Sequence, residues 1–154
     1  MKTSKKKSFQ KITPFLWFDN QAEEAAKFYT GIFKNSKILS ANPMTVTFEL
    51  EGVEFMALNG GPHHKFTEAV SFFVHCKTQK EVDRLWNKFT ENGGKESQCG
   101  WLLDRFGVSW QIIPDDLGKL LGDNDRVKAN RVMQAMLQMK KIDIAGLKKA
   151  HKGQ

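Results

Sequence analysis

A chain of 154 residues with 40% hydrophobic side chains, 12 Phe and 4 Trp can bury one sizeable core but hardly two independent ones, and no apolar run approaches a membrane span. The formal charge of +7 sits at the ends: residues 1–11 carry five Lys and no acid, residues 117–154 carry nine basic side chains against three Asp, and residues 12–116 carry ten basic against fourteen acidic. An acidic body with basic ends argues against a specific nucleic-acid surface, and the start MKTSKKKSFQ lacks the apolar stretch of a signal peptide, so a cytoplasmic protein without membrane attachment is expected.

Residues 1–8 read as a basic flexible tail. Lys11 to Phe18, rich in aromatic and aliphatic residues, reads as a strand, with Pro14 marking an edge or irregular position. Asp19 or Asn20 offers an N-cap, and Ala22, Ala25, Ala26, Phe28, Tyr29, Ile32 and Phe33 then recur at helical spacing until Gly31 and Asn35 stop the helix. Three strands follow at Lys37 to Ala41, Met44 to Glu51 and Val53 to Asn59, the last two joined tightly at Glu51 and Gly52. The order then recurs. Val70 to Lys77 reads as a strand, Thr78 or Gln79 opens a helix with the apolar face Val82, Leu85, Trp86 and Phe89, and Asn92, Gly93 and Gly94 end it. Strands are expected at Lys95 to Gln98, Gly100 to Asp104 and Val108 to Pro114, with Arg105 to Gly107 as a turn.

Beyond Pro114 the pattern turns helical. Leu117 to Leu121 reads as a short turn, and Asn124 to Lys140 as a helix carrying Val127, Val132, Met136 and Met139. Ile142 before Asp143, with Leu147 four residues after that cap, has the form of a hydrophobic staple opening a last helix. Met133, Met136 and Met139 read as adaptable packing, within the chain or against a partner subunit. Cys76 and Cys99 belong to no CxxC or Cys/His cluster and read as free thiols in a reducing compartment.

The chain repeats itself. A shift of 57 lays Ile12 to Tyr29 over Ala69 to Trp86, with Phe15 on Phe72, Glu24 on Glu81 and Tyr29 on Trp86; a shift of 55 lays Gly52, Val53, Phe55 and Met56 over Gly107, Val108, Trp110 and Gln111. Two copies of one β-α-β-β-β unit follow, an α+β domain over 9–116 with module one at 9–62 and module two at 66–116, then a helical extension over 117–154.

The opening ITPFLWFDNQAEEAAKFY and the turn DRFGVSWQ, with FLWF, QCGWL and MQAMLQMKKIDIAGL, resemble the vicinal oxygen chelate superfamily of glyoxalases and bleomycin-resistance proteins, and within it the PhnB-like group often named 3-demethylubiquinone-9 3-methyltransferase. The resemblance covers roughly residues 9 to 150. It implies the glyoxalase/bleomycin resistance fold: two βαβββ modules forming a cupped mixed sheet, helices outside, a ligand site inside, and homodimers. It leaves chemistry open, because that fold hosts lyases, dioxygenases, isomerases, transferases and drug-sequestering proteins.

The resemblance also implies metal ligands at the start of each unit's first strand and within its last. Those positions here are Ile12, Ala69, Met56 and Gln111, and a slip of one residue gives Val70 or Phe55. One amide among apolar side chains cannot hold a divalent ion that needs three or more protein ligands, so no metal and no cofactor is expected. Period-2 alternation sets Glu54 and Leu58 beside Met56, Ser109 and Ile113 beside Gln111, and Ser71, Phe73 and His75 beside Ala69; Phe55, Phe72, Trp110 and Trp17 fall on the opposite face, under the helices. The expected ligand surface is therefore Glu54, Met56, Ser71, Phe73, Ser109 and Gln111, with Trp101 at its wall, suited to a small, partly apolar organic molecule.

Glu54 reads either as a general base raised by apolar surroundings or as a solvated carboxylate, and His63 and His64 either as ordinary loop residues or, on a loop closing over the cup, as an acid, a base or an adventitious metal site. No Ser or Cys stands in a nucleophile elbow. Gly60-Gly61-Pro62 opens no helix, and Asn92-Gly93-Gly94 closes one, so the strand-to-helix glycine turn of a methyl-transfer fold is missing. The leading reading is a metal-independent small-molecule binder. The enzyme reading is a lyase, isomerase, dioxygenase or transferase using Glu54, a loop His or an unforeseen metal site. A third is an adaptor for nucleic acid or an acidic partner through the Lys-rich ends.

Overall fold

The computed structural model describes residues 9–154, so the basic segment 1–8 lies outside the described residues. Its elements are β1 (Phe15–Phe18), α1 (Ala22–Ile32), β2 (Ser36–Ala41), β3 (Thr45–Leu50), β4 (Val53–Asn59), β5 (Phe72–Cys76), α2 (Gln79–Thr90), β6 (Lys95–Glu96), β7 (Trp101–Leu103), β8 (Ser109–Pro114), α3 (Asp115–Leu121), α4 (Arg126–Leu137) and α5 (Ile144–Lys152). The repeat is borne out as topology: two four-stranded mixed sheets have the orders β1-β4-β3-β2 and β5-β8-β7-β6. In each, the first strand pairs parallel to the last, and the hairpin strands pair antiparallel. The chain divides into two compact units, one ending at Lys65 and one running from Phe66 to Gln154. No helix among the described residues is long and apolar enough to cross a membrane.

In the first unit, β3 and β4 alternate strictly. Val46, Phe48, Leu50, Phe55 and Ala57 are buried against α1, whose inner face is Ala22, Ala25, Ala26, Tyr29 and Ile32. Three alanines let the helix lie close to the sheet, and Tyr29 closes over Phe48, ring centroids 6.1 Å apart. Leu50 pairs with Val53 across a two-residue turn whose central residues, Glu51 and Gly52, have φ of 48° and 86°, the double positive φ of a type I′ hairpin.

Two local expectations fail here for physical reasons. The first strand begins at Phe15 rather than Lys11, because Pro14 has no N–H to give; instead the Gln10 side chain pairs with Glu54, accepting from its N–H at 3.0 Å and donating to its carbonyl at 2.9 Å. Neither Asp19 nor Asn20 caps α1. Gln21 holds the cap position without a side-chain bond, and the Oδ1 of Asn59, at the end of β4, accepts from the Ala22 N–H at 2.8 Å. A helix N-terminus needs an acceptor, not a local one.

In the second unit α2 starts as expected, with Thr78 Oγ1 accepting from the Glu81 N–H and Glu81 reaching back to the Lys77 N–H. Val82, Leu85, Trp86 and Phe89 are all buried, Phe89 packing on Trp110 with centroids 4.6 Å apart. The strands run shorter than expected. Cys99 (φ 56°) and Gly100 (φ 85°) break the path between β6 and β7, and β5 spans only Phe72–Cys76. The turn after β7 closes around Asp104, buried, which accepts from the N–H groups of Phe106 and Val108 and from the Trp110 indole, all within 3.0 Å.

The expected short turn at Leu117 is the helix α3, begun by Asp115 directly after β8. The staple is formed: Ile142 and Leu147 are fully buried with Ile113, Leu117 and Val132, and Leu120, Leu121, Met136 and Met139 pack against them. Backbone bonds from Cys99 N–H to Met139 and from Gly100 N–H to Lys140 tie this helical cluster to the second sheet, while Gln79 grips Ile142 and Ile144.

Candidate functional site

Each sheet has one face under its helix and one more open, and the strand register decides which side chains share the open one. In the first sheet Phe15 stands beside Met56; in the second it is Phe73 that stands beside Gln111. Met56 and Gln111 correspond at a shift of 55, so the first strands correspond at 58, not 57. The helices keep 57: Ala25, Tyr29 and Ile32 are buried as are Val82, Trp86 and Phe89. The link from strand to helix, residues 19–21 in the first copy and Lys77 and Thr78 in the second, is one residue shorter in the second, which absorbs the difference.

A slip of one residue turns a strand over. Phe15 and Trp17 therefore lie on the open face of the first sheet, with Leu16 and Phe18 buried beneath, correcting the expectation that Trp17 packs under the helix. Trp17 stands beside Leu58, donates its indole N–H to Gly61 O at 2.9 Å and meets the ring of His64 edge-on at 4.7 Å. The loop bearing His63 and His64 is thus pinned to Trp17, and both imidazoles are exposed. From β3 and β4 this face also carries Thr45, Thr47 and Glu49, and Glu54, Met56 and Leu58, all half-buried, with Glu49 directly opposite Glu54 and Lys37 of β2 opposite Glu49 on its other side. Phe15 and Thr47, which flank Met56, were missed by sequence reasoning. The alternation TVTFEL marks Thr47; nothing but the register marks Phe15.

On the second sheet, one row runs across three strands: Phe73 on β5, Gln111 on β8 and Trp101 on β7. Phe73 is 49% exposed, and Gln111 and Trp101 are half-buried. Gln111 Nε2 donates to Ser71 Oγ at 2.9 Å, which orients the amide. The structure brings these four residues together. Ser109 is a different case from the open polar group expected of it, since it is only 2% exposed and its hydroxyl finds no partner among the described residues. Ile113, next on the same face, is taken up by the apolar cluster of α3, α4 and α5, so the C-terminal helices close that end of the face. His75 opposite it is exposed and pairs with Asp115 at 3.1 Å.

The donor set fails the test for a metal. Ile12 is 85% exposed with nothing to coordinate, Met56 and Ala69 offer no hard donor, and the Gln111 amide is engaged by Ser71. Val70, the partner of Ile12 at the corrected shift of 58, adds none. Among the described residues no group of three or more His, Cys, Asp or Glu is placed to hold an ion. Covalent catalysis gains nothing from Cys76 either: burial, helped by Glu81 and Asp115, pushes its thiol up to about 12, so it carries no thiolate near neutrality.

A model of the 3-demethylubiquinone-9 3-methyltransferase family matches residues 10–113. Among solved structures, a PhnB protein from Bacillus cereus bearing the same family description is 36% identical, with a TM-score of 0.62, over 68% of this chain and 99% of that one. A protein from Pseudomonas aeruginosa is 21% identical, with a TM-score of 0.56, over 69% of this chain and 98% of that one. A genomically encoded fosfomycin resistance protein from Listeria monocytogenes, solved with Mn(II) and sulfate, is 12% identical, with a TM-score of 0.51, over 66% of this chain and 87% of that one, a likeness of fold alone. No curated protein matches the chain.

Proposed function

Because this chain belongs to the 3-demethylubiquinone-9 3-methyltransferase family, the PhnB-like group of the vicinal oxygen chelate superfamily, we propose that it binds a small, partly apolar organic molecule on the open face of its second sheet, without a divalent metal at the superfamily position. One observation carries this reading. Phe73, Gln111 and Trp101 form a single row in which two aromatic walls flank an amide held by Ser71. Apolar surface with one or two oriented polar groups is the usual make-up of a small-molecule site. The metal-free reading rests on the donor chemistry of Ile12, Met56, Ala69 and Gln111 and not on likeness to any relative. The family description names methyl transfer, but the glycine pairs do not support it: Gly60 and Gly61 lead into the loop pinned on Trp17, and Gly93 follows α2. Two free cysteines fit a reducing, cytoplasmic setting, and the exposed Ile12, Phe15 and Val70 on or beside the edge strands fit a homodimer.

A thermal-shift screen with divalent metals and small metabolites tests the proposal. Organics should raise the melting temperature, about 2.7 kcal/mol of stabilisation being due at a hundredfold excess over Kd, and Mn(II), Fe(II) and Zn(II) should not. About one tightly held divalent ion per purified chain would overturn the metal-free reading. Failure of any organic to stabilise the protein would overturn the binding reading.

A further inference from the structure

Neighbouring strands lie ~4.8 Å apart, so the backbones of Phe73 and Trp101 stand ~9.6 Å apart with Gln111 midway. Side chains of one such row stand side by side, so Phe73 and Trp101 rise on either side of Gln111, the Phe73 ring lying 4.8 Å from that of His75. Between the two aromatic residues stands the Gln111 amide. A primary amide has two N–H donors and a carbonyl acceptor, and one N–H is already given to Ser71 Oγ. The remaining N–H and the Oε1 are the pair that lets Gln read an adenine edge bidentately, donor to acceptor and acceptor to donor. A second, independent sign of a ligand lies two residues back on the same face. The hydroxyl of Ser109 is buried without a partner, and protein interiors tolerate few such groups.

We infer, resting on the binding reading above, that the row selects a planar heterocycle whose edge carries N–H and C=O side by side, that is, a cyclic amide. Phe73 and Trp101 take its two faces, and Gln111 accepts from its N–H while donating to its carbonyl. Ser71 is a positioning residue, since it touches the amide and not the ring. Ser109 supplies a hydroxyl to whatever acceptor the heterocycle carries deeper in the face.

The probes are 2-quinolone, which has that edge, and 1-methyl-2-quinolone, which keeps the rings and carbonyl but has lost the donor. Both are titrated into the full chain while the Gln111 side-chain NH2 and Trp101 indole N–H signals are followed by NMR. Wild type should bind 2-quinolone at least ~10-fold more tightly than its methylated form, a good bidentate pair being worth about that factor or more. Gln111→Leu should remove the discrimination, weakening 2-quinolone ~10-fold or more and its methylated form less, since that form gives up only the bond to its carbonyl. Ser71→Ala, which keeps the amide but frees it, should lose part of the discrimination and serves if Gln111→Leu fails to fold. Equal binding of both probes by wild type, or discrimination that survives Gln111→Leu, overturns the cyclic-amide inference. Silence with both quinolones, while another organic from the thermal-shift screen moves the same two signals, sinks the ligand class and keeps the site. Silence throughout sinks both.

Discussion

The first sheet closes its last hairpin with two residues, Glu51 and Gly52 at positive φ, whereas the second takes residues 104–108 and folds them around one buried carboxylate. Two residues at positive φ turn the first hairpin back, with exposed bonds from the Lys34 and Asn35 N–H groups to the Glu51 carboxylate beside them. In the second, Asp104 gathers the N–H groups of Phe106 and Val108 together with the indole of Trp110, and so couples the turn to the helix-side core. Two copies of one supersecondary unit have reached the same strand order by different local means, and the stability of each should fail at a different place.

Removing the carboxylate is the largest way to break this comparison. Asp104→Ala leaves three donors in and around the core without their acceptor, and at ~1–3 kcal/mol per orphaned group the expected loss is about 4 kcal/mol. Glu51→Ala in the other hairpin removes only exposed bonds to the Lys34 and Asn35 N–H groups and should cost ~1 kcal/mol or less. Urea unfolding of both variants measures the difference. Equal losses would mean that the two turns work alike.

What the sequence made legible follows the same division. The β-α-β-β-β order, the Glu51-Gly52 turn, the inner face of α2 and the Ile142–Leu147 staple were all readable, because each rests on local chemistry or on a period over several residues. The face of β1 was not. The aromatic residues of Phe15 to Phe18 fill both faces of a short strand, so period 2 had nothing to hold, and the repeat matched Phe15 to Phe72 when pairing with β4 and β8 makes Phe73 its counterpart. The cap from Asn59 escaped for a related reason: the acceptor lies 37 positions from the helix it serves. Within the candidate site, Glu54, Met56, Ser71, Phe73, Trp101 and Gln111 lie on the open faces, whereas Ser109 is buried at the opposite end of β8 from Ile113, the residue the C-terminal helices cover.

Those helices give the second sheet a cover with no counterpart among the described residues of the first unit, and Leu147→Ala tests its worth. Leu147 is fully buried among Ile113, Leu117, Val132 and Ile142, and such a truncation costs ~2–5 kcal/mol, with about 3 kcal/mol expected here. The sharper readout is local. Amide hydrogen exchange should quicken in α3, α4, α5 and β8 while β3 and β4 keep their protection. Uniform loss across both sheets would show that the helical cover stabilises the whole chain and not the second unit.

The smallest effect is a pH dependence lodged in the second unit. The Asp83 carboxyl is held below the ordinary carboxylate range by Lys141 and then by Gln79, and that of Asp123 by the Asp125 N–H and then by His151, whose ring lies 2.7 Å away. A carboxyl with a folded pKa below its unfolded one binds fewer protons folded than unfolded. Its contribution is fully present above the unfolded value, about 3.9, and is lost as pH falls through the folded one. Both carboxyls are partly exposed to solvent, so screening keeps each contribution small. Asp83 sits beside the Gln79 grip on Ile142 and Ile144, and Asp123 joins the α3–α4 link to the end of α5. Acidification below about pH 4 should therefore loosen the C-terminal helices before β3 and β4. The double variant Asp83→Asn with Asp123→Asn should flatten that acid limb while starting from a slightly lower plateau at neutral pH. Hydrogen exchange followed from pH 6 downward distinguishes the outcomes: loss of protection in β3 and β4 ahead of α4 and α5 would place the acid-labile contacts outside the helical cover, and an unchanged acid limb in the double variant would remove these two carboxyls from its cause.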